Sequence, residues 1–239
     1  MSEIYFFRHA QASYMAANYD KLSPKGETQS SILGKYLADK NIIFDQTFVG
    51  TLRRQKQTLD IVSACFKEKA IELLNPEILD LLNEHHGPRA LRHSYEQLLK
   101  EDQQVKQWFQ ETQDDPTLMG KRTMTIFNYF MKKWVNGEIV VNHPEVESWD
   151  HFRRRVKTGL AIILEKTGPK TTVGVFTSGG VISAITAEAL GLEDQTKVAE
   201  LNYAVRNTSV SRFLYSNGEF NLLSFNEVPH LEEEMITFV

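Results

Sequence analysis

Short apolar runs alternate with helical stretches from the first residues onward. Ile4 to Phe7 is apolar and stops abruptly at Arg8-His9, as a buried strand does when it emerges at a sheet edge. After a polar loop, Ser23-Pro24 opens a helical stretch through about Ala38, with Ser23 as N-cap and Pro24 as the first helical residue. Asp45 to Val49 reads as a second strand. Leu52 to Phe66 reads as a second helix, with Leu59, Val62 and Phe66 on one face. Such alternation predicts the α/β class, a three-layer α/β/α arrangement on a mostly parallel sheet.

Between about residues 85 and 146 the pattern changes. Two polar, aromatic-rich helical segments, Leu91 to Thr112 and Thr117 to Val135, flank the breaker Asp114-Asp115-Pro116. This stretch reads as a helical cap inserted into a single domain of 1–239. Alternation returns with a helix from about Ser148 to Lys166, a strand at Thr172 to Thr177 and a helix starting near Gly180. The closing NTSVSRFLYSNGEFNLLSF predicts a hairpin turning at Asn217-Gly218.

A net charge of −4 gives no basic field for nucleic acid or an anionic membrane, so an anionic substrate needs a local cationic pocket. Glu3 stands where a signal peptide wants positive charge, no segment is long enough to span a bilayer, and the single Cys65 lies in an apolar helical pattern. These features predict a cytoplasmic protein. Oligomeric state is left open.

In open α/β sheets, ligands gather at the carboxyl ends of strands. Those ends deliver Arg8-His9, Arg53-Arg54, Glu84-His85-His86 and Thr177-Ser178-Gly179-Gly180. Guanidinium forks from two strand ends match the oxygens of one phosphate. Glycines after Ser178 let helix N-terminal amides approach the same anion. A neutral His9 imidazole can attack phosphorus, and a desolvated Glu84, its pKa raised, can protonate the leaving alcohol.

These residues resemble the histidine phosphatase superfamily, the phosphoglycerate mutase-like group, along nearly the whole chain. FFRHAQAS is similar to its strand and RHG signature, with Ala10 for the glycine. LSPKGETQS, TLRRQKQTLDI, ESWDHFRRRV and NTSVSRFLY are similar to later segments in the same order. The resemblance implies metal-independent phosphomonoester hydrolysis, with no cofactor, on a small phosphorylated substrate. His9 is then the phosphorylated nucleophile, Glu84 the proton donor, and Arg8, Arg54, Ser178 and Gly179 the phosphate contacts. Tyr14, His85 and His86 are expected to face substrate, as are Asn18 and Tyr19. The family's second pocket histidine falls on Ser178, which keeps a hydrogen bond but brings no charge, so weakened turnover is expected. Imidazoles of His85 or His86 are the nearest candidates to compensate.

Two other classes compete. A noncatalytic phosphate-binding or interaction module fits the serine at 178. A serine hydrolase would use Ser178 with Asp194 or Glu227 and His230, but Phe176 stands where the nucleophile-elbow pattern has its first glycine. Phosphotransfer of the mutase type ranks below the first. No metal-ligand spacing is present, so no metal is expected.

Overall fold

A computed structural model describes residues 1–13 and 20–238. Tyr14, Asn18 and Tyr19 lie outside the described residues. In chain order the elements are β1 (Ser2–Arg8), α1 (Pro24–Asp39), β2 (Gln46–Val49), α2 (Arg53–Glu68), β3 (Glu77–Ile78), α3 (Gly87–Glu101), α4 (Gln103–Asp114) and α5 (Met119–Val135). They continue with α6 (Trp149–Lys166), β4 (Thr172–Thr177), α7 (Gly179–Leu190), α8 (Gln195–Ala204), β5 (Val210–Ser216) and β6 (Glu219–Glu227). Short 3-10 turns include Asp80–Leu82 and Pro116–Leu118.

The six strands form one sheet in the order β3-β2-β4-β1-β5-β6. β1 to β4 are mutually parallel, and β5 and β6 run antiparallel at one side. Side chains alternate across it. Ile4, Phe6, Val173, Val175 and Phe213 join the core beneath α5, α6 and α7, while Tyr5, Phe7, Val49 and Phe176 pack against α1 and α2. Burial on both faces fits the continuously apolar β1. The β5-β6 turn has positive φ at both Asn217 (53°) and Gly218 (82°), which the Asn-Gly pair tolerates.

Two helix starts follow their caps. Ser23 accepts a hydrogen bond from Gly26 N–H, and Ser148 from His151 N–H. The inserted stretch departs from expectation. Its first helix is two, because Asp102 leaves helical geometry (φ −100°, ψ 113°) to cap α4 through Gln104 and Val105 N–H. The Asp102 carboxylate also accepts from Tyr129 Oη at 2.8 Å and pairs with Lys133, fastening the break to α5. Ala90, Leu98, Val105, Ile126 and Phe130 belong to the same buried cluster as Ile4 and Phe6, so the insertion shares the core of the sheet.

His230 supplies a stability prediction. Burial pushes its pKa down from 6.5 to about 4, beside Thr208 Oγ1 at 3.1 Å and the Tyr36 ring at 5.7 Å. Between those two values the unfolded chain binds the proton that the folded protein refuses, so stability falls as pH drops through this window. The loss is about 2–3 kcal/mol from this group. Urea unfolding at about pH 7 and about pH 4.5 should show a smaller acid loss in His230→Phe than in the wild type; equal losses would refute it.

Candidate active site

β1 and β4 lie side by side at the centre of the sheet, and their connections leave in opposite directions, so their carboxyl ends form the topological switch point at which open α/β sheets bind ligands. His9 sits at that point. Its backbone N–H donates to Thr177 O at 2.8 Å, and its carbonyl accepts from Asn207 Nδ2 at 3.1 Å. Ala10 N–H donates to Thr58 Oγ1 on α2, which holds the turn after the histidine.

The His9 ring is buried, and its two nitrogens have different neighbours. Nδ1 lies 2.7 Å from the Ala10 carbonyl, which can only accept, so Nδ1 carries the proton. Nε2 then presents its lone pair, and Arg54 Nε donates to it at 3.1 Å. Burial first, then the charges of Arg54 and Arg8, hold the His9 pKa well below 6.5. His9 is therefore neutral at physiological pH, with its lone pair at a guanidinium.

Arg54 opens the first turn of α2, and its Nη1 also pairs with Asp20 at 2.8 Å. The same carboxylate accepts from Arg53 N–H at 2.8 Å, which caps the start of the helix. Arg8, the last residue of β1, donates through Nη1 to the carbonyl of Val205, just beyond α8. Ser178, fully buried at the end of β4, accepts from Gln55 Nε2 at 2.9 Å. Gln55 Nε2 also donates to Leu82 O at 3.1 Å, so one amide ties α2, the Asp80–Leu82 turn and β4 together.

Glu84 leaves that turn toward the N-terminus of α7. Gly180 N–H donates to Oε2 at 3.1 Å, and a Cβ at Gly180 would stand 2.1 Å from Oε1, so only glycine admits this carboxylate. The Gly180 amide thus serves the acid. The raised pKa expected for Glu84 is corrected by the structure. Burial pushes it up, but His85, the Gly180 and His85 N–H groups and Arg54 outweigh burial and hold it below its ordinary value.

Arg155 on α6 braces this loop from behind. Its Nη1 donates to Leu81 O at 2.8 Å and Asn83 O at 3.0 Å, while Nε and Nη2 are held by the Glu147 carboxylate. Glu147 N–H in turn donates to His86 Nδ1 at 3.3 Å.

The sequence matches the family described as the histidine phosphatase superfamily (branch 1) over residues 4–127 and 118–228. The chain belongs to the histidine phosphatase superfamily. A search of curated proteins gives no match. Among solved structures, the phosphoserine phosphatase of Entamoeba histolytica in complex with 3-phosphoglyceric acid is 19% identical, with a TM-score of 0.64 over 97% of this chain and 100% of that one. The alpha-ribazole phosphatase of Shigella flexneri is 18% identical, with a TM-score of 0.63 over 94% and 96%. A phosphoglycerate mutase from Bacillus anthracis is 18% identical, with a TM-score of 0.60 over 96% and 94%. At these identities the likeness is one of fold.

On this superfamily fold the structure brings His9, Arg8, Arg54, Glu84, Ser178 and Gly179 together at the carboxyl end of the sheet. His85 is at the same end of the sheet but buried, its ring enclosed by Trp134, Trp149 and Phe152 at centroid distances of 5.5 to 6.1 Å. His86 precedes α3 and serves Glu147. The serine hydrolase set does not assemble. Asp194 caps α8, His230 bonds Thr208, and Ser178 meets Gln55. Asp20, Gln55, Asn207 and Arg155 escaped the sequence reading; Gln55, directly after Arg54, was the one with a signal. His93, His143 and Glu145 bring potential metal ligands within 4.8 Å of one another, a grouping that spacing along the chain concealed. His143 Nδ1 already accepts from Glu145 N–H at 3.2 Å. Among the described residues no helix is long and apolar enough to cross a membrane.

Proposed function

We propose that this protein hydrolyses phosphomonoesters through a phosphohistidine on His9, with no step routed through a metal. The observation that carries the reading is the fixed tautomer of His9: a neutral ring whose Nε2 lone pair meets Arg54, where a phosphate would be held. Arg8, Arg54 and the Ser178 hydroxyl bind the phosphoryl oxygens. His9 Nε2 attacks phosphorus as the ester P–O bond breaks, and the leaving alkoxide takes the proton of Glu84. Water then attacks the phosphohistidine, Glu84 takes back one proton from it, the P–N bond breaks, and phosphate leaves with His9 restored. Glu84 is ionised in the free pocket. A dianionic substrate that shares the Arg54 charge raises its pKa, so the acid is loaded as the ester binds. Helices α3 to α5 form the cap that shapes substrate choice, and the protein works in the cytoplasm on a small phosphorylated substrate.

A second reading, a phosphate-binding module without turnover, follows from the resemblance, which implies that the family's second histidine falls on Ser178, a residue that brings no charge. A screen over phosphorylated metabolites in the presence of EDTA, wild type beside His9→Ala, separates the two. Hydrolysis by the wild type alone supports the phosphatase, whereas phosphate binding without hydrolysis supports the module.

A further inference from the structure

The proton on His9 Nδ1 is held by the Ala10 carbonyl at 2.7 Å, and that carbonyl belongs to the same planar peptide unit as the Gln11 N–H. Whatever fixes the N–H also aims the oxygen. Gln11 N–H donates to Gln29 Oε1 at 2.9 Å, and Gln29, on α1, is fully buried. Its Nε2 donates to the Met235 carbonyl at 2.7 Å and to Thr237 Oγ1 at 2.8 Å. A backbone N–H only donates and a backbone carbonyl only accepts, so these partners decide which way the Gln29 carboxamide faces. The Thr237 hydroxyl, having accepted from Gln29, gives its own proton to Asn207 Oδ1 at 2.9 Å. That leaves Asn207 Nδ2 for the His9 carbonyl at 3.1 Å, while Asn207 N–H donates to Thr237 O at 2.8 Å. One hydroxyl thus orients two buried carboxamides, and each of them holds one of the two peptide units that follow the nucleophile.

We propose that Gln29 and Thr237 are positioning residues for His9: Gln29 locks the peptide unit whose carbonyl keeps the ring proton on Nδ1, and Thr237 locks Gln29 and Asn207 together, so that the His9 lone pair stands at Nε2. Neither residue touches substrate or transfers a proton; both act through the turn from His9 to Gln11. The consequence for turnover rests on the phosphatase reading, in which Nε2 attacks phosphorus, whereas the consequence for the tautomer does not.

Nitrogen-15 NMR of the histidine rings reads the tautomer without substrate, with the His9 signals assigned by their loss in His9→Ala, and p-nitrophenyl phosphate turnover reads the chemistry. The wild type should show a protonated Nδ1 and an unprotonated Nε2. In Thr237→Val, which keeps the shape of the side chain but neither accepts nor donates, the proton should spread over both nitrogens and the Gln11 amide should exchange faster. In the same variant kcat should fall about 10-fold with KM nearly unchanged, since a small misplacement of a reacting atom slows the chemical step rather than binding. Thr237→Ser, which restores the hydroxyl, should recover all three readouts. Gln29→Met should lose more, about 10²-fold; if it fails to fold, the two Thr237 variants decide. A wild-type tautomer in Thr237→Val, or Thr237→Ser no better than Thr237→Val, would overturn the proposal. Should the wild type show no turnover, the phosphatase reading fails, and the ring signals decide alone: a displaced proton in Thr237→Val supports the positioning role, and an undisplaced one ends it.

Discussion

Replacing His9 with alanine is expected to reduce turnover by roughly 10⁴-fold or more while leaving the fold intact. The loss is large because, among the described residues, the neighbouring groups that could take the nucleophile's place are already engaged. Ser178 is bonded to Gln55, His85 is turned to Asn202, and Glu84 is bound to Gly180 N–H. The fold should survive because the ring contributes little to the core. It lies at the strand end against two arginines whose charge, with burial, already opposes its protonation. Kinetics on a good substrate from the screen, with a melting curve for each protein, check both halves of the expectation. Turnover that persists in a folded variant would show that another residue accepts the phosphoryl group.

Arg54→Ala should cost about 10²–10⁴-fold in kcat/KM, the range for losing phosphate donors together with the donor at the nucleophile. Two effects act at once. The substrate loses a guanidinium fork, and His9 Nε2 loses its Nε–H partner at 3.1 Å. Arg54 also helps burial hold the His9 pKa down, so its removal lets that pKa rise. The protonated ring has no lone pair at Nε2. The acid limb of the kcat/KM profile should therefore move to higher pH in Arg54→Ala. Arg54→Lys should recover part of the rate, because an ammonium restores the charge without the fork. A wild-type acid limb in Arg54→Ala would show that the guanidinium does not face the nucleophile.

What could be read in advance differs by element for physical reasons. β4 was placed at Thr172 to Thr177 because an apolar run between Gly-Pro and Ser-Gly-Gly has clear ends. Helix α1 was bounded at its start by Ser23-Pro24, and the β5-β6 turn by Asn217-Gly218, since backbone chemistry at these positions is local. The Asp102 break was invisible because its partners, Tyr129 and Lys133, are remote in sequence and made by tertiary packing. β3, two residues long, carries no period to detect, and α8 has little amphipathic pattern.

The site divides in the same way. His9, Arg8, Arg54 and Glu84 stand at strand or turn ends and could be named from order along the chain. Asp20, Gln29 and Arg155 act through neighbours 34, 18 and 72 positions away or more, at Arg54, Gln11 and Asn83. The ionisation of Glu84 is not legible in the sequence, because the Gly180 N–H and the charged neighbours that oppose burial meet the carboxylate only once the chain is folded.

The central claim is a covalent bond between phosphorus and His9. The most direct measurement is to mix the wild-type protein with substrate, quench within the turnover time at alkaline pH, where phosphohistidine persists, and locate the added phosphoryl group by peptide mass spectrometry. The account predicts the adduct on the His9 peptide in the wild type and none in His9→Ala. A phosphoryl group found on another residue, or steady turnover with no adduct even when Glu84→Gln is used to slow its hydrolysis, would contradict it.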